Sequence, residues 1–401
     1  MNLFRFYLDS FKGLSKEVWI LSLITLINRS GAMVIPFLSL YLTDEKDFSM
    51  KMVGWVMTCF GLGSIVGSWF GGYLNDKIGH FKTMSLSLLA SGFAFIVLQY
   101  GSSFWQVGVL VFIAMFCLDV FRPAMFVAVR IYSKKENQTR SLSLIRLAIN
   151  LGFALGPAVA GWLIYNVSYS SLFWVDGISS FLAVFILLYF LSPKKSRIIQ
   201  EEVIVKNPRS AYTDVPFLLF VFASFCLAFA FLQYFSSVPI FYRDAFGLSE
   251  EYIGMLLGFN GLLVFLIEMP LIKKLEDKKV STLSSILVGF ALLALSFLVV
   301  IIWKLNWALW LGIALMSLSE IFAFPYSNKY ALDQSKGGKV GQYMALYSIS
   351  FSVAHVISHN AGLQLIEAYG FYITWAVMIA IVLIGILTLG LMIKNRKNGE
   401  C

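Results

Sequence analysis

Twelve stretches of mostly apolar residues follow one another along the chain, separated by short polar segments. Each is about as long as the 20 residues that an α-helix needs to cross the hydrocarbon core of a bilayer. Hydrophobic residues make up 59% of the chain and charged residues 13%, whereas soluble domains carry about 25% charged residues. We therefore predict an all-α integral membrane protein with twelve transmembrane helices. These predicted spans, numbered 1 to 12, cover residues 18–43, 52–74, 83–101, 106–129, 142–165, 171–192, 216–242, 252–272, 281–303, 307–328, 340–366 and 371–393.

The basic residues support this count and orient the chain, because Lys and Arg concentrate in cytoplasmic loops. Of the 31 Lys and Arg, 24 lie in the N-terminus, the loops after even-numbered spans and the C-terminal tail, and four lie in the loops after odd-numbered spans. The other three, Arg29, Arg122 and Arg146, lie within spans. We predict a multi-pass protein of the cytoplasmic (inner) membrane with both termini in the cytoplasm. The net charge of +9 fits contact with anionic lipid headgroups, and nothing in the sequence indicates nucleic-acid binding.

The longest polar segment divides the spans into two groups of six. We predict an N-terminal six-helix bundle over residues 1–191, a cytoplasmic linker over 192–215 and a C-terminal six-helix bundle over 216–401. The two halves are weakly similar, since Gly61 recurs as Gly261 and Pro123 recurs as Pro325. We therefore predict two pseudo-symmetric bundles. Duplicated halves of this kind suit alternating access, in which two bundles rock about a site near the midplane of the membrane.

The segment GGYLNDKIGHFKT, residues 71–83, follows span 2 and contains the most specific motif. Its Gly72, Asp76, Lys77 and Gly79 resemble the loop signature of the major facilitator superfamily, while His80 stands where the family usually has a basic residue. The resemblance implies a transporter in which these residues form a conformational gate. It also implies that Asp76 meets the positive N-terminal end of span 11 and thereby closes the cytoplasmic side. The competing interpretation is an ordinary polar turn.

Span 5 contains a second motif, NLGFALGPAVAGW, at residues 150–162. Gly152, Gly156, Pro157 and Gly161 resemble the antiporter motif of the same superfamily, which is associated with exporters that exchange a substrate for protons. Small residues at this spacing let another helix pack closely, and proline favours a kink. Plain helix packing is the competing interpretation. Arg146, near the start of the same span, is predicted to reach the membrane interface or a cytoplasmic gate.

In the major facilitator superfamily, spans 1, 4, 7 and 10 line the central cavity. Each of these spans carries a polar side chain here, and several aromatic residues lie close to them. The resemblance therefore implies a substrate-binding set composed of Arg29, Asp119, Gln233, Tyr234, Glu320 and Phe324.

Two of these residues, Asp119 and Glu320, are also candidates for proton coupling. A charge at the centre of a bilayer costs at least about 2.5–3.5 kcal/mol, so Arg29 is predicted to face a wet cavity and to pair with Asp119 or Glu320. Asp119 and Arg122 are three residues apart and can share one face of a helix. A buried ion pair with a purely structural role is the competing interpretation of that pair.

From these features we predict a proton-coupled secondary transporter that exports small amphipathic organic compounds. The alternative is a proton symporter for a zwitterion such as a short peptide or an amino acid, in which Arg29 would bind the carboxylate and Glu320 the ammonium group. A receptor or an enzyme is disfavoured, since no extramembrane domain or nucleophile constellation is present. The expected partners are a small-molecule substrate, protons and membrane lipids, with the protein active as a monomer. We expect no metal and no cofactor, the proton gradient being the energy source.

Overall fold

The computed structural model describes residues 9–31, 33–34, 37–38, 41–42, 45–192, 209–248, 250–303, 305–336 and 338–397. This described part is almost entirely helical, and nine of its helical segments are long and apolar enough to cross a membrane. In order of the spans, the helices are Lys16–Ser30 (span 1), Met50–Ile78 (2), His80–Leu98 (3), Phe104–Asp119 with Phe121–Tyr132 (4), Gln138–Asn166 (5), Ser170–Phe190 (6), Val215–Leu232 with Ser237–Phe246 (7), Glu250–Asp277 (8), Thr282–Ile302 (9), Asn306–Gln334 (10) and Val340–Lys397 (11 and 12).

Each predicted span contains helix in the described part of the chain, and the predicted all-α, twelve-helix fold is confirmed. Spans 11 and 12 both lie within the helical segment Val340–Lys397. This segment is broken at Gly370, whose φ of 79° lies in the left-handed region. Glycine adopts this conformation readily because it has no Cβ. The break therefore lies between the two stretches that the sequence predicts as separate spans.

Local sequence explains where several helices begin. The hydroxyl of Ser15 accepts a hydrogen bond from the backbone of Val18, and Ser103 forms a reciprocal capping box with Gln106. The carboxylate of Asp214 accepts from the Phe217 N–H at the start of span 7. Such side chains satisfy backbone N–H groups that have no partner within the first turn of a helix.

Three spans are interrupted where the sequence predicts continuous helices. Span 4 breaks at Val120, because Pro123 has no N–H with which to bond the carbonyl of Asp119 and its ring crowds that carbonyl. Span 7 changes to a short 3-10 turn over Gln233–Phe235. The helix of span 1 ends at Ser30. All three interruptions lie in spans that the family resemblance assigns to the cavity.

The chain separates into two compact units. The N-terminal unit combines Gly13–Arg209 with Ser335–Ile349, and the C-terminal unit combines Ser210–Gln334 with Ser350–Cys401 and the residues before Gly13. The start of span 11 therefore packs with the N-terminal half. The predicted linker, 192–215, falls mostly on residues 193–208, which lie outside the described part, and the predicted domain boundaries stay predictions.

Glycines bring spans 2 and 4 into close contact within the N-terminal unit. Gly63, Gly67 and Gly71 follow one another at four-residue spacing and lie against backbone atoms of span 4. A Cβ added at Gly71 would lie 2.5 Å from the carbonyl oxygen of Val120. Small residues at this spacing allow two helix backbones to approach each other in a membrane. This approach also brings the short side chain of Ser64 within reach of span 4.

Candidate functional site

The N-terminal unit contains a buried cluster of polar side chains at the interruption of span 4. Asp119 is 1% exposed. One of its carboxylate oxygens lies 3.0 Å from a guanidinium nitrogen of Arg122, and the other accepts a hydrogen bond from the hydroxyl of Ser64. We call Ser64, Asp119, Arg122 and the nearby Arg29 the N-terminal polar centre.

Arg29 lies at the end of the first helix and is buried. Its guanidinium interacts electrostatically with both Asp119 and Arg122. Asp119 forms an ion pair with Arg122, and Arg29 adds a second positive charge to the same cluster. Its other predicted partner, Glu320, belongs to the C-terminal unit.

The glycines of span 5 pack on span 1 at Arg29. A Cβ added at Gly152 would lie 2.6 Å from the Cβ of Arg29, and one added at Gly156 would lie 3.2 Å from the carbonyl oxygen of Ser30. The span 5 helix continues through Pro157, whose side chain lies outside the described part. The motif therefore forms the surface against which the end of the first helix rests. Its association with antiport stays a prediction.

Sequence reasoning missed the role of Asp176 in span 6. Its two carboxylate oxygens accept hydrogen bonds from the backbone N–H groups of Met33 and Val34, at 2.8 and 3.0 Å. Asp176 is 1% exposed. It satisfies backbone groups at the interruption of span 1, four residues after Arg29. The available signal was an acid near the start of an apolar span.

The C-terminal unit contains a second buried polar cluster, which we call the C-terminal polar centre. The side-chain nitrogen of Asn260 in span 8 donates to Glu320, at 3.1 Å, and to the hydroxyl of Ser317, at 3.0 Å. That hydroxyl also donates to the carbonyl of Ile313, at 2.8 Å. Glu320 is 6% exposed. The depth of Glu320 in its span was predictable, but its partners Asn260 and Ser317 were not.

Two residues predicted to bind substrate, Gln233 and Tyr234, contact neighbouring helices in this structure. The amide of Gln233 donates to the carbonyl of Ser358, at 2.7 Å, and accepts from Ser237, at 2.6 Å. Tyr234 is 1% exposed, and its ring packs against that of Phe297 in span 9. The interruption of span 7 explains this placement, because it turns both side chains toward neighbouring helices.

Of the two aromatic residues predicted to bind substrate, Phe324 is partly buried, whereas Tyr234 is fully buried. Its ring lies 4.8 Å from that of Phe231 and 5.4 Å from that of Phe351. Phe231 in turn contacts Phe235, which is 48% exposed. We call Phe231, Phe235, Phe324 and Phe351 the aromatic cluster.

The predicted contact of Asp76 with the start of span 11 is present. Its carboxylate accepts hydrogen bonds from the N–H groups of Gly341, at 2.6 Å, and Gln342, at 3.0 Å. Gly72 lies on the same face, and a Cβ there would be 2.5 Å from the Gly341 carbonyl oxygen. These groups lie within the N-terminal unit, and we call them the latch.

The expectation that residues 71–83 form a loop is wrong. The helix of span 2 continues to Ile78, the next helix begins at His80, and Gly79, with a φ of 84°, is the residue between them. Asp76 is therefore held by the last turn of a helix. A single residue in the left-handed region suffices to reverse the chain here, and only glycine takes that conformation without strain.

Other residues of the predicted gate take different places. Lys77 is exposed, and its ammonium group lies 5.6 Å from the centre of the Tyr73 ring. His80 is fully buried against Tyr132 and therefore does not supply a surface charge. Arg146 is 7% exposed, and it interacts electrostatically with Tyr347 in the first turns of span 11.

A protein-family model described as the Major Facilitator Superfamily matches residues 18–359. The chain belongs to this superfamily. It is therefore a multi-pass membrane protein and a transporter of small molecules, and not an enzyme.

Named relatives in the superfamily are distant. The chain is 22% identical over 367 residues to a Na(+), Li(+), K(+)/H(+) antiporter from Planococcus maritimus, a match that covers 83% of this chain and 85% of the relative. It is 25% identical over 177 residues to a multidrug resistance efflux pump homologue from Lactococcus lactis, 42% of each chain. The solved human organic anion transporter MFSD10 has a TM-score of 0.74 at 14% identity and covers 93% of this chain and 98% of its own. That structural likeness concerns the fold alone.

Proposed function

We propose that this transporter is a proton-coupled antiporter that exports small amphipathic organic compounds by alternating access. The observation that carries the proposal is Glu320, a buried acid in an apolar span whose carboxylate is bonded by the amide of Asn260. We assign the proton-coupling role to Glu320, with Asp119 as the alternative.

The substrate class is supported by the aromatic cluster, where Phe235 is half exposed beside Phe231 and Phe324. Aromatic faces bind flat organic cations and apolar rings. The Lactococcus relative, named as a multidrug efflux pump homologue, points to the same class of compound. The direction of transport rests on the glycine motif of span 5.

Exchange of monovalent cations for protons is a second candidate. It is favoured by the Planococcus relative, whose name gives that activity and whose match covers most of both chains. Carboxylate, amide and hydroxyl oxygens are suitable ligands for hard cations, and the C-terminal polar centre contains one of each. Symport of a zwitterion is the third candidate to be tested.

We further propose that both termini lie in the cytoplasm, that the monomer is the working unit, and that the protein uses the proton gradient without a cofactor. The loops richest in Lys and Arg support the orientation. Labelling of Cys401, in a chain whose other three cysteines are replaced, with a reagent that does not cross the membrane tests it in intact cells.

One experiment distinguishes the three substrate classes. Purified protein in liposomes is given an imposed pH gradient, and the movement of ethidium, of radioactive sodium and of a radiolabelled dipeptide is measured in parallel. We expect ethidium to move against its own gradient and opposite to the proton flux. Sodium movement in its place supports the second candidate, and dipeptide movement in the direction of the proton flux supports the third. Either result with no ethidium transport overturns the proposal.

A further inference from the structure

Arg209, near the C-terminal end of the predicted linker, binds the segment that leads into span 11. The carbonyl of Arg209 accepts a hydrogen bond from the N–H of Lys339, at 3.0 Å. Arg209 also forms an isolated parallel β-bridge with Gly338. Both partners belong to the N-terminal unit. The linker end is thus attached to this segment through its backbone.

The side chain of Arg209 makes a second attachment to the same segment. Its Nε donates to the hydroxyl of Tyr343, at 3.1 Å. Tyr343 is 0% exposed, so its ring is fixed by its surroundings and provides a rigid acceptor. Gly338 fits between the two partners: a Cβ there would lie 2.6 Å from the Tyr343 ring and 3.0 Å from the Arg209 carbonyl oxygen. A larger residue would push the linker away.

These attachments flank the latch on the same short stretch of chain. Gly341 and Gln342, which bond Asp76, lie between Lys339 and Tyr343 in the sequence. The N–H of Tyr343 also bonds the carbonyl of Lys339, at 3.2 Å, and so closes the first turn of span 11 around them. Moving Lys339 or Tyr343 must therefore move the two N–H groups that Asp76 binds.

We propose that Arg209 is a positioning residue of the latch, through which the linker holds the start of span 11 in the place where Asp76 can bind it. The linker is then a part of the gate as well as a connection between the two halves. A change in the linker that withdraws Arg209 weakens the latch without altering Asp76. This inference rests on the gate role that we assign to Asp76, and the experiment includes Asp76 for that reason.

The test measures how often the start of span 11 leaves span 2. Ser348 is 2% exposed and lies on the helical face of Gly341 and Ala345, so Ser348→Cys is a nearly isosteric reporter in a chain whose own four cysteines are replaced. The rate of its labelling by N-ethylmaleimide is measured in membranes. Losing one hydrogen bond of the Arg209 attachment should raise the rate by about two- to tenfold.

Three variants and two controls are compared. Arg209→Ala, Tyr343→Phe and Gly338→Ala should each accelerate labelling. Two substitutions should leave it unchanged: Arg243→Ala, which removes an exposed arginine bonded to its neighbour Asp244, and Gly258→Ala, since a Cβ there meets nothing within 4 Å. Tyr343→Phe keeps the buried ring and guards against a simple folding defect.

The decisive comparison combines each variant with Asp76→Asn. Because Arg209 acts through the groups that Asp76 binds, the double variant should label no faster than Asp76→Asn alone, which is non-additive behaviour. If Asp76→Asn accelerates labelling but Arg209→Ala and Tyr343→Phe do not, or if the effects multiply, the positioning role is overturned. If Asp76→Asn itself does not change the labelling rate, the gate role of Asp76 is wrong. That outcome is distinguishable from failure of the positioning role of Arg209.

Discussion

The two units each place an acid on a matched span, and the two acids have different surroundings. In the N-terminal unit, Asp119 forms an ion pair with Arg122 and interacts with Arg29. In the C-terminal unit, Glu320 is bonded by the amide of Asn260. In one unit the acid is paired with a guanidinium group, and in the other it accepts a hydrogen bond from a neutral amide. This difference is the reason to test Glu320 first as the proposed proton carrier, with Asp119 as the alternative.

The repeat in the sequence shows where the halves diverged. Aligning Pro123 with Pro325 places Arg122 opposite Phe324. One half therefore has a guanidinium beside its acid, and the other has an aromatic ring at the corresponding position. Span 10 runs as one helix through Pro325, while span 4 is interrupted at Val120. The two halves therefore differ in the residue that precedes the matched proline and in the continuity of the helix there.

The largest expected effect follows from exchanging the acids for amides. Glu320→Gln fixes the neutral form and should abolish proton-driven accumulation of ethidium, while exchange of ethidium at equal concentrations on both sides continues. Asp119→Asn should reduce transport mainly through folded yield, since it leaves Arg122 without its carboxylate. Both activities are measured in liposomes at matched protein content. Proton-driven accumulation at the wild-type level in Glu320→Gln would move the coupling site to Asp119.

A second comparison removes the partner of each acid. Arg122→Ala breaks a buried ion pair, which costs about 3–5 kcal/mol; the lower end applies, because the Arg122 side chain is 27% exposed. The free energy of unfolding, measured by denaturant titration in detergent, should fall accordingly. The double variant Asp119→Asn with Arg122→Gln restores a neutral hydrogen-bonded pair and should recover most of the loss. If the double variant does not regain stability, a neutral hydrogen-bonded pair cannot replace the ion pair at this centre.

The matched change in the other unit should be milder. Asn260→Ala removes a neutral donor from Glu320 and Ser317, and an unsatisfied buried group costs about 1–3 kcal/mol. The fall in the free energy of unfolding should therefore be smaller than that of Arg122→Ala. The same denaturant titration in detergent measures it. A loss as large as that of Arg122→Ala would contradict the distinction between the two centres.

Much of this fold could be predicted because length and hydropathy determine the spans, while the orientation that the Lys and Arg distribution favours stays a prediction. The depth of Asp119 and Glu320 within their spans was also readable. The interruptions of spans 1 and 7 were not, since they depend on partners from other helices, as Asp176 bonding Met33 and Val34 illustrates. Hydropathy does not tell which face of a helix points toward which neighbouring helix. It therefore could not predict the hydrogen bond between Asn260 and Glu320.

The smallest expected effect concerns the latch, where the sequence motif and the structure agree. Asp76→Asn replaces a charged acceptor at the start of span 11 with a neutral one and removes an attraction of about 0.3–2 kcal/mol. Labelling of the Ser348→Cys reporter should therefore accelerate modestly, with transport retained. Asp244→Asn is the matched control, because that carboxylate is exposed and bonded to its neighbour Arg243. Equal labelling in the Asp76 and Asp244 variants would mean that the helix-end contact does not hold the gate, and that Gly72 and Ala345 close it by packing alone.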